Sequence, residues 1–364
     1  MKWGVGTARM WNFFLSGVQP QEMVHERFMR SALKEAKLGL GLTSPNPAVG
    51  AVIVKRGRII GRGWHHRAGL PHAEVEAFRS LTDPEQARGA TIYVTLEPCS
   101  THGRTPPCTD AILNSGVSRV VIGSLDPNPA HAGRAVDLLR AAGIEVCSGV
   151  LAEECAYLNR AFFRWITTSR PWVIAKAALS LDGRISRPPG EGQWLSGPES
   201  RRDAHRLRGE VDAILVGANT VRVDNPRLTV RGDSAPQGKE QPWRVVLTRG
   251  GDLPKEAHLF TDEFRERTLV FREPTLEGLL DELGRVYKVN SLLIEGGAEV
   301  LGAFVDAGLV DEVCFYLAPI LCGGPTVGVG GIGAGSTAEA LRVLRPEYRR
   351  MGRDIRMSGL VEKE

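Results

Sequence analysis

A chain of 364 residues exceeds the size at which a single hydrophobic core usually stops growing, so two domains are expected. Its 42% hydrophobic and 24% charged residues are ordinary for a globular protein, and no apolar run reaches membrane-spanning length. The formal charge of +4, dispersed along a chain with only 6% aromatic residues, suits a small anionic substrate and argues against nucleic acid and membrane partners.

Residues 1–22 read as an N-terminal extension, disordered or the product of a start codon set too early. The apolar patch Trp11 to Leu15 is too short for a signal-peptide core, and no small-residue cleavage site follows it. From Met23 the pattern becomes regular. Met29, Leu33, Ala36 and Leu40 share one helical face, with Gly39 and Gly41 as stops. A hairpin over Val49 to Val54 and Ile59 to Gly63 turns at Arg56-Gly57, and a helix is expected from Ala73 to Ser80. The β-branched run "ATIYVTL" is a strand. Thr109 offers an N-cap and Gly116 a stop for the next helix. Strand "SRVVIGS", helix "GRAVDLLRAAG" and strand "IEVCSGV" complete an α/β layered domain.

The junction is placed near "TTSRP", residues 167 to 171, where a second α/β series opens. It runs through strand "WVIAKAAL", a helix from Pro198 to Arg208, and strands "AILVG", "WRVVLT" and "TLVF". A helix over Leu276 to Leu283, strand "SLLIEGG", a helix over Ala298 to Ala307 and strand "EVCFYLAP" follow. Ser196 and Glu199, with Pro198 between them, form a capping-box pattern at the first of these helices.

Six cysteines make no disulfide framework, which points to a reducing compartment. Cys147, Cys155, Cys314 and Cys322 stand in apolar context and read as buried thiols. Cys99 and Cys108 lie in a polar loop, and with His72 they supply the one-nitrogen, two-sulfur set of a catalytic zinc. Such a site keeps a water and lowers its pKa to roughly 7. Glu74, two residues from the histidine, is placed to move protons without ligating. His-x-Glu followed by Pro-Cys and a second Cys matches the zinc-deaminase template, except that eight residues separate these cysteines where the template has two. A closed structural zinc site would want His102 as a fourth ligand and has no use for Glu74. His65, His66 and His131 read as surface or substrate contacts rather than ligands.

Taken together, "TSPNPAVGAVIV", "AGLPHAE", "TLEPCSTHGRTPPC" and "DPNP", and later "SLDGRI", "GEGQWLS", "DNPRLTVR" and "IEGGAEVLGAF", resemble the bifunctional pyrimidine deaminase/reductase of riboflavin biosynthesis. The resemblance implies a cytidine-deaminase-like three-layer α/β domain over residues 23–167 and a dihydrofolate-reductase-like α/β domain over residues 171–364. It implies zinc on His72, Cys99 and Cys108, Glu74 as proton shuttle, and Asn46 on the pyrimidine. In the second domain it implies Arg208, Leu228, Arg231 and Glu295 at a phosphoribosyl substrate, with Lys176 a further candidate beside the reacting sugar. NADPH is expected at Ala178, Trp194, Thr220, Asp224 and the run Gly297, Ala298, Glu299, Val300, Leu301, Gly302 and Ala303. A cytoplasmic enzyme that assembles as a homo-oligomer through its reductase domain is the family expectation. Two departures stand out: Gly192 where relatives often carry serine, and Thr101 where they often carry histidine.

Chemistry alone says less about the second half. "IEGG" ends a strand and opens a helix whose amides suit a phosphate, and Arg208 and Arg231 are able to fork onto one. "GVGGIG", residues 328 to 333, fits a dinucleotide pattern literally but lacks the strand and helix that give it meaning, so it reads as a flexible loop. Two other readings compete with the bifunctional enzyme: a nucleic-acid deaminase with a C-terminal binding module, and a structural zinc protein with a nucleotide-binding domain.

Overall fold

A computed structural model describes residues 20–102, 106–128, 131–185, 194–232 and 236–363; Gly192 lies outside them. The chain forms two compact units that divide between Arg160 and Ala161. The division falls ahead of the 167–171 junction because the helix Arg160–Thr168 packs into the second unit, where Trp165 Nε1 donates to the Gly284 carbonyl at 2.9 Å.

The first unit is a five-stranded sheet of order β2-β1-β3-β4-β5. Its strands are β1 (Gly50–Lys55), β2 (Arg58–Trp64), β3 (Thr91–Leu96), β4 (Arg119–Ser124) and β5 (Glu145–Ser148). β1 runs antiparallel to β2 and β3, whereas β3, β4 and β5 are mutually parallel. The hairpin turns where expected, with Arg56 at φ 50° and Gly57 at φ 72°, the left-handed pair that a two-residue turn requires. Helices α1 (Pro20–Lys37), α2 (Ala73–Arg79), α3 (Cys108–Ser115), α4 (Arg134–Ala141) and α5 (Ala152–Leu158) cover both faces. Alternate strand residues build two cores. Ile53, Ile92 and Ile122 pack with α2, α3 and α4; Val52, Tyr93 and Val121 pack with α1 and α5. Gly63 permits the close seating of α2, since a Cβ there would lie 2.2 Å from the Ala77 nitrogen.

The second unit is an eight-stranded sheet of order β12-β13-β11-β6-β10-β7-β8-β9. Six strands are parallel: β6 (Trp172–Ser180), β7 (Ala213–Gly217), β8 (Trp243–Thr248), β9 (Thr268–Arg272), β10 (Ser291–Gly296) and β11 (Glu312–Ala318). β12 (Val343–Met351) and β13 (Asp354–Val361) add an antiparallel edge. After α6 (Arg160–Thr168) come α7 (Pro198–Glu210), α8 (Ala218–Asp224), α9 (His258–Thr261), α10 (Leu276–Arg285) and α11 (Ala298–Asp306). Leu279, Leu283, Leu301 and Phe304 put α10 and α11 on one face; Leu207, Val221 and Leu259 put α7, α8 and α9 on the other.

Several local expectations are corrected. Thr109 does not cap α3: the helix starts at Cys108 with Pro107 at the cap position, although Gly116 ends it at φ 75° as expected. Ser196 and Glu199 form no capping box on α7. Buried Asp354 takes that role, accepting from Gly197 N at 2.7 Å and Ser200 Oγ at 2.6 Å. All six cysteines are free, but Cys147, packed against the Val52 core, and Cys322 are only half-buried, so the buried-thiol reading holds for Cys155 and Cys314 alone. The "GVGGIG" loop is pinned rather than flexible: Gly330 N donates to Ala298 O at 3.0 Å, and Ile332 N and Gly333 N donate to the Asp306 carboxylate.

Candidate active sites

β3 and β4 are parallel neighbours, and chemistry collects where their carboxyl ends stop. Cys99 follows β3 directly, Cys108 opens α3, and His72 is the residue before α2. Three segments thus deliver one nitrogen and two sulfurs, all within 4.8 Å of one another. His72 Nδ1 lies 3.2 Å from Cys108 Sγ and 3.5 Å from Cys99 Sγ, and the Cys108 amide donates to Cys99 Sγ at 3.2 Å. The Cys108 thiol, with His72 and that amide, overcomes burial and holds Cys99 as the thiolate of the pair, its pKa pulled far below the usual thiol range while that of Cys108 is pushed up. Among the described residues no fourth donor joins them, and His102 stands exposed outside the cluster. The donor set fits a tetrahedral zinc with one open position.

Glu74 sits in the first turn of α2, 2% exposed. Burial, aided by the Cys99 charge, raises its carboxyl to about 6, where it both gives and takes protons near neutrality. Asn46 reaches the same place through an intermediary that composition could not rank. His65, far from being a surface residue, is 2% exposed and stacks edge-on against His72 at 4.9 Å. Its Nδ1 lies 3.1 Å from Pro71 O and its Nε2 lies 3.1 Å from Asn46 Nδ2, and burial lowers its pKa to about 4, so it bridges as a neutral ring. Asn159 fixes the Asn46 loop by pairing with both backbone groups of Ala48 at 2.8 and 2.9 Å. Glu97, also passed over in the sequence, is a buried carboxylate accepting the amides of Asp126, Gly133 and Ala135 beside Cys99. Its signal is only its place in "LEPC". Thr101 is half-buried, beside the exposed His102.

The second unit has its own meeting point. From β7 the chain moves on to β8, while from β10 it turns the other way to β11, and β7 and β10 are neighbours. Their following helices, α8 and α11, lie on opposite faces. This is the strand-order reversal beyond which α/β sheets bind ligands. Gly296 brings Thr220 within 3.1 Å of where its Cβ would be, and Gly217 brings Val300 within 2.9 Å of its own. Gly297, at φ 80°, opens α11 with no side-chain cap, so its first-turn amides suit a phosphate. Thr220 therefore meets Gly296 and Gly297 at one edge, and Asp224 ends α8 one turn further on. Gly302 faces the other way, against Gly330, whose carbonyl carbon would lie 2.2 Å from an added Cβ. Trp194 is exposed, with the Arg201 guanidinium 5.2 Å from its ring centroid.

Lys176, Arg208 and Glu295 converge on the α7 face of the sheet. Arg208 Nη2 donates to Glu295 Oε2 at 2.9 Å, and Lys176 Nζ lies 3.7 Å from the same oxygen. Burial opposes the charge on Glu295, but Arg208 and Lys176 overcome it and hold the carboxyl at about 2. Arg208 also donates to Thr229 O at 3.3 Å, which brings the Leu228–Arg231 stretch alongside. Leu228 is buried at φ 50°, while Arg231 is exposed, and the neighbouring Arg208 and Arg227 charges add to the burial that lowers its pKa. Ala178 lies two residues beyond Lys176 on the same strand face.

Fold and sites together define a two-domain enzyme in which a zinc-type pyrimidine deaminase precedes a reductase. Residues 22–124 match the model of the cytidine and deoxycytidylate deaminase zinc-binding region, and residues 171–355 match that of the RibD C-terminal domain. The chain belongs to the RibD family of bifunctional riboflavin-biosynthesis enzymes, which join a zinc deaminase to an NADPH-dependent reductase. It is 41% identical to the riboflavin biosynthesis protein RibD of Aquifex aeolicus (strain VF5) over 91% of this chain and 97% of that one. It is also 41% identical to the RibD of Escherichia coli (strain K12), over 92% and 98%. Among solved structures, Acinetobacter baumannii RibD superposes with a TM-score of 0.86 at 38% identity, covering 94% of this chain and 100% of that one. A Thermotoga maritima diaminohydroxyphosphoribosylaminopyrimidine deaminase/5-amino-6-(5-phosphoribosylamino)uracil reductase gives 0.84 at 36%, with the same coverage. The nucleic-acid and structural-zinc readings are not favoured, because both halves match this one family along nearly the whole chain. No described helix is long and apolar enough to cross a membrane.

Proposed function

We propose that the first unit deaminates 2,5-diamino-6-(5-phosphoribosylamino)pyrimidin-4-one at the His72, Cys99 and Cys108 cluster, and that the second reduces the ribosyl group of the product to ribityl with NADPH. The observation that carries the first half is the trio of donors beside a fully buried Glu74. Zinc held by those three residues supplies an activated water at neutral pH. Glu74 holds and moves the proton, first to the pyrimidine ring and then to the departing amine, since its raised pKa favours both transfers. Asn46, aimed by neutral His65, donates to the pyrimidine.

In the second unit NADPH supplies hydride to the sugar carbon. The amides that open α11 at Gly297, with Thr220 beside them, would hold NADPH together with Asp224, Ala178 and Trp194. Arg208 and Arg231 take the substrate phosphate, Leu228 walls the slot, and Lys176 stands against Glu295 beside the reacting sugar. The domain limits 23–167 and 171–364, a cytoplasmic setting and assembly through the reductase domain belong to the same reading; light scattering on the full chain tests the last. The decisive experiment follows NADPH absorbance in protein, zinc and the diaminopyrimidine ribotide. Wild type should consume NADPH, while Glu74→Ala should slow by at least about a hundredfold and recover when the deaminated intermediate is supplied. Equal consumption by both would mean that reduction does not await deamination.

A further inference from the structure

α7 runs opposite to the parallel strands. Its C-terminus leads through Val211 and Asp212 into the start of β7, while its N-terminus is tied by Asp354, which stands opposite the carboxyl end of β11. Moving N-terminally along α7 therefore moves toward the ligand edge of the sheet. Arg208, His205 and Arg201 are spaced three and four residues apart and share one flank of the helix. Arg208 turns that flank toward Glu295 of β10 and Thr229 of the adjoining loop, so His205 stands one turn, about 4.5 Å, nearer the edge. Above it, Arg201 reaches the rim at Trp194. Arg208, His205 and Arg201 thus line one wall of a slot, with Lys176 and Glu295 at its floor and Leu228 to Arg231 across from it.

We propose that His205 is a further substrate-binding residue of the reductase, hydrogen-bonding a hydroxyl of the substrate's sugar while Arg208 and Arg231 take its phosphate. The inference rests on the reading of this slot given above. Its Nδ1 is buried and has no hydrogen-bond partner among the described residues. A buried N–H without an acceptor is the costlier arrangement, so the ring hydrogen belongs on Nε2, which becomes the donor. Burial, with the Arg208, Arg231 and Lys176 charges outweighing Glu295, lowers the imidazole pKa and keeps the ring neutral at pH 7. A neutral ring does not protonate the opening sugar, and among forked arginines it adds little for a phosphate. It suits a hydroxyl.

The test uses the full chain with the deaminated intermediate as substrate, and ribose 5-phosphate and inorganic phosphate as competing inhibitors. Asparagine places its amide where Nδ1 stands, whereas glutamine reaches the position of Nε2. His205→Asn should raise KM for the intermediate and weaken ribose 5-phosphate about three- to tenfold, the worth of one neutral hydrogen bond. Inorganic phosphate inhibition and NADPH affinity, followed by cofactor fluorescence, should stay as in wild type. His205→Gln should recover most of the loss. Unchanged KM, equal behaviour of the two variants, or parallel weakening of both inhibitors would overturn the proposal. Arg208→Ala should weaken both inhibitors; if it weakens neither, the reading of the slot falls, and the role of His205 with it.

Discussion

The two units bring their functional groups together by different means. In the first, the five proposed residues lie in three short stretches: Asn46 in the loop before β1, His72 to Glu74 at the start of α2, and Cys99 to Cys108 between β3 and α3. In the second, Lys176, Arg208, Arg231 and Glu295 come from two strands, a helix and a loop spread over more than a hundred residues. Metal chemistry demands rare donor types at close range, so few sequences satisfy it by accident. Binding a sugar phosphate and a dinucleotide demands only common residues in the right topology. The difference also changes what a residue supports. Glu295 is a ligand candidate and, at the same time, the acceptor that Lys176 and Arg208 share.

Glu295→Gln therefore gives the largest expected effect on the second unit. Removing one member of a buried charge cluster leaves the others uncompensated and costs about 3–5 kcal/mol. The pH dependence has a definite sign. Its folded pKa, about 2, lies below the unfolded value near 4.5, so its stabilisation is present above pH 4.5 and is lost as pH falls toward 2. Thermal unfolding between pH 6 and 3 should show wild type and variant far apart at the top of this range and converging at the bottom. A constant separation would mean that the cluster does not depend on the Glu295 charge.

The same contrast governs what could be read from the chain beforehand. The zinc trio and Glu74 were legible because their spacing carries chemistry, and most strands because their apolar runs are periodic. His65 was not, since a histidine's burial depends on what packs over it: here the Pro71 carbonyl and Asn46, supplied by different segments. β12 was missed because "VLRPEYRRM" is exposed and charged along its length and shows no alternation. The capping box on α7 failed because a carboxylate from β13, more than 150 residues away, outcompeted the local one. Long-range partners leave no local trace.

Gly302→Ala probes how far the second site depends on backbone contact. The new methyl would lie 2.2 to 2.4 Å from Gly330 and Gly331 backbone atoms, so α11 or the loop must shift. Overpacking of this kind costs about 1–3 kcal/mol, against which alanine's helix preference returns about 1. Since α11 opens at the proposed phosphate site, NADPH affinity should fall several-fold while deamination, assayed alone by ammonia release, is unchanged. A loss in deamination would show that the two sites are not independent.

Asp354→Ala should have the smallest effect on ligand binding. It removes the acceptor for Gly197 N and Ser200 Oγ at the start of α7, a loss of about 1 kcal/mol where water can replace it. The Asp354 side chain is fully buried, so replacement by water is incomplete and the cost should sit at the upper end, near 2. The more telling readout is kinetic. α7 carries Arg208 and His205, and a frayed first turn moves the rim before the floor. KM for the phosphoribosyl substrate should then rise two- to threefold with little change in NADPH affinity, because Thr220 and Gly297 belong to other helices. A change confined to NADPH would place α7 on the cofactor rather than on the sugar.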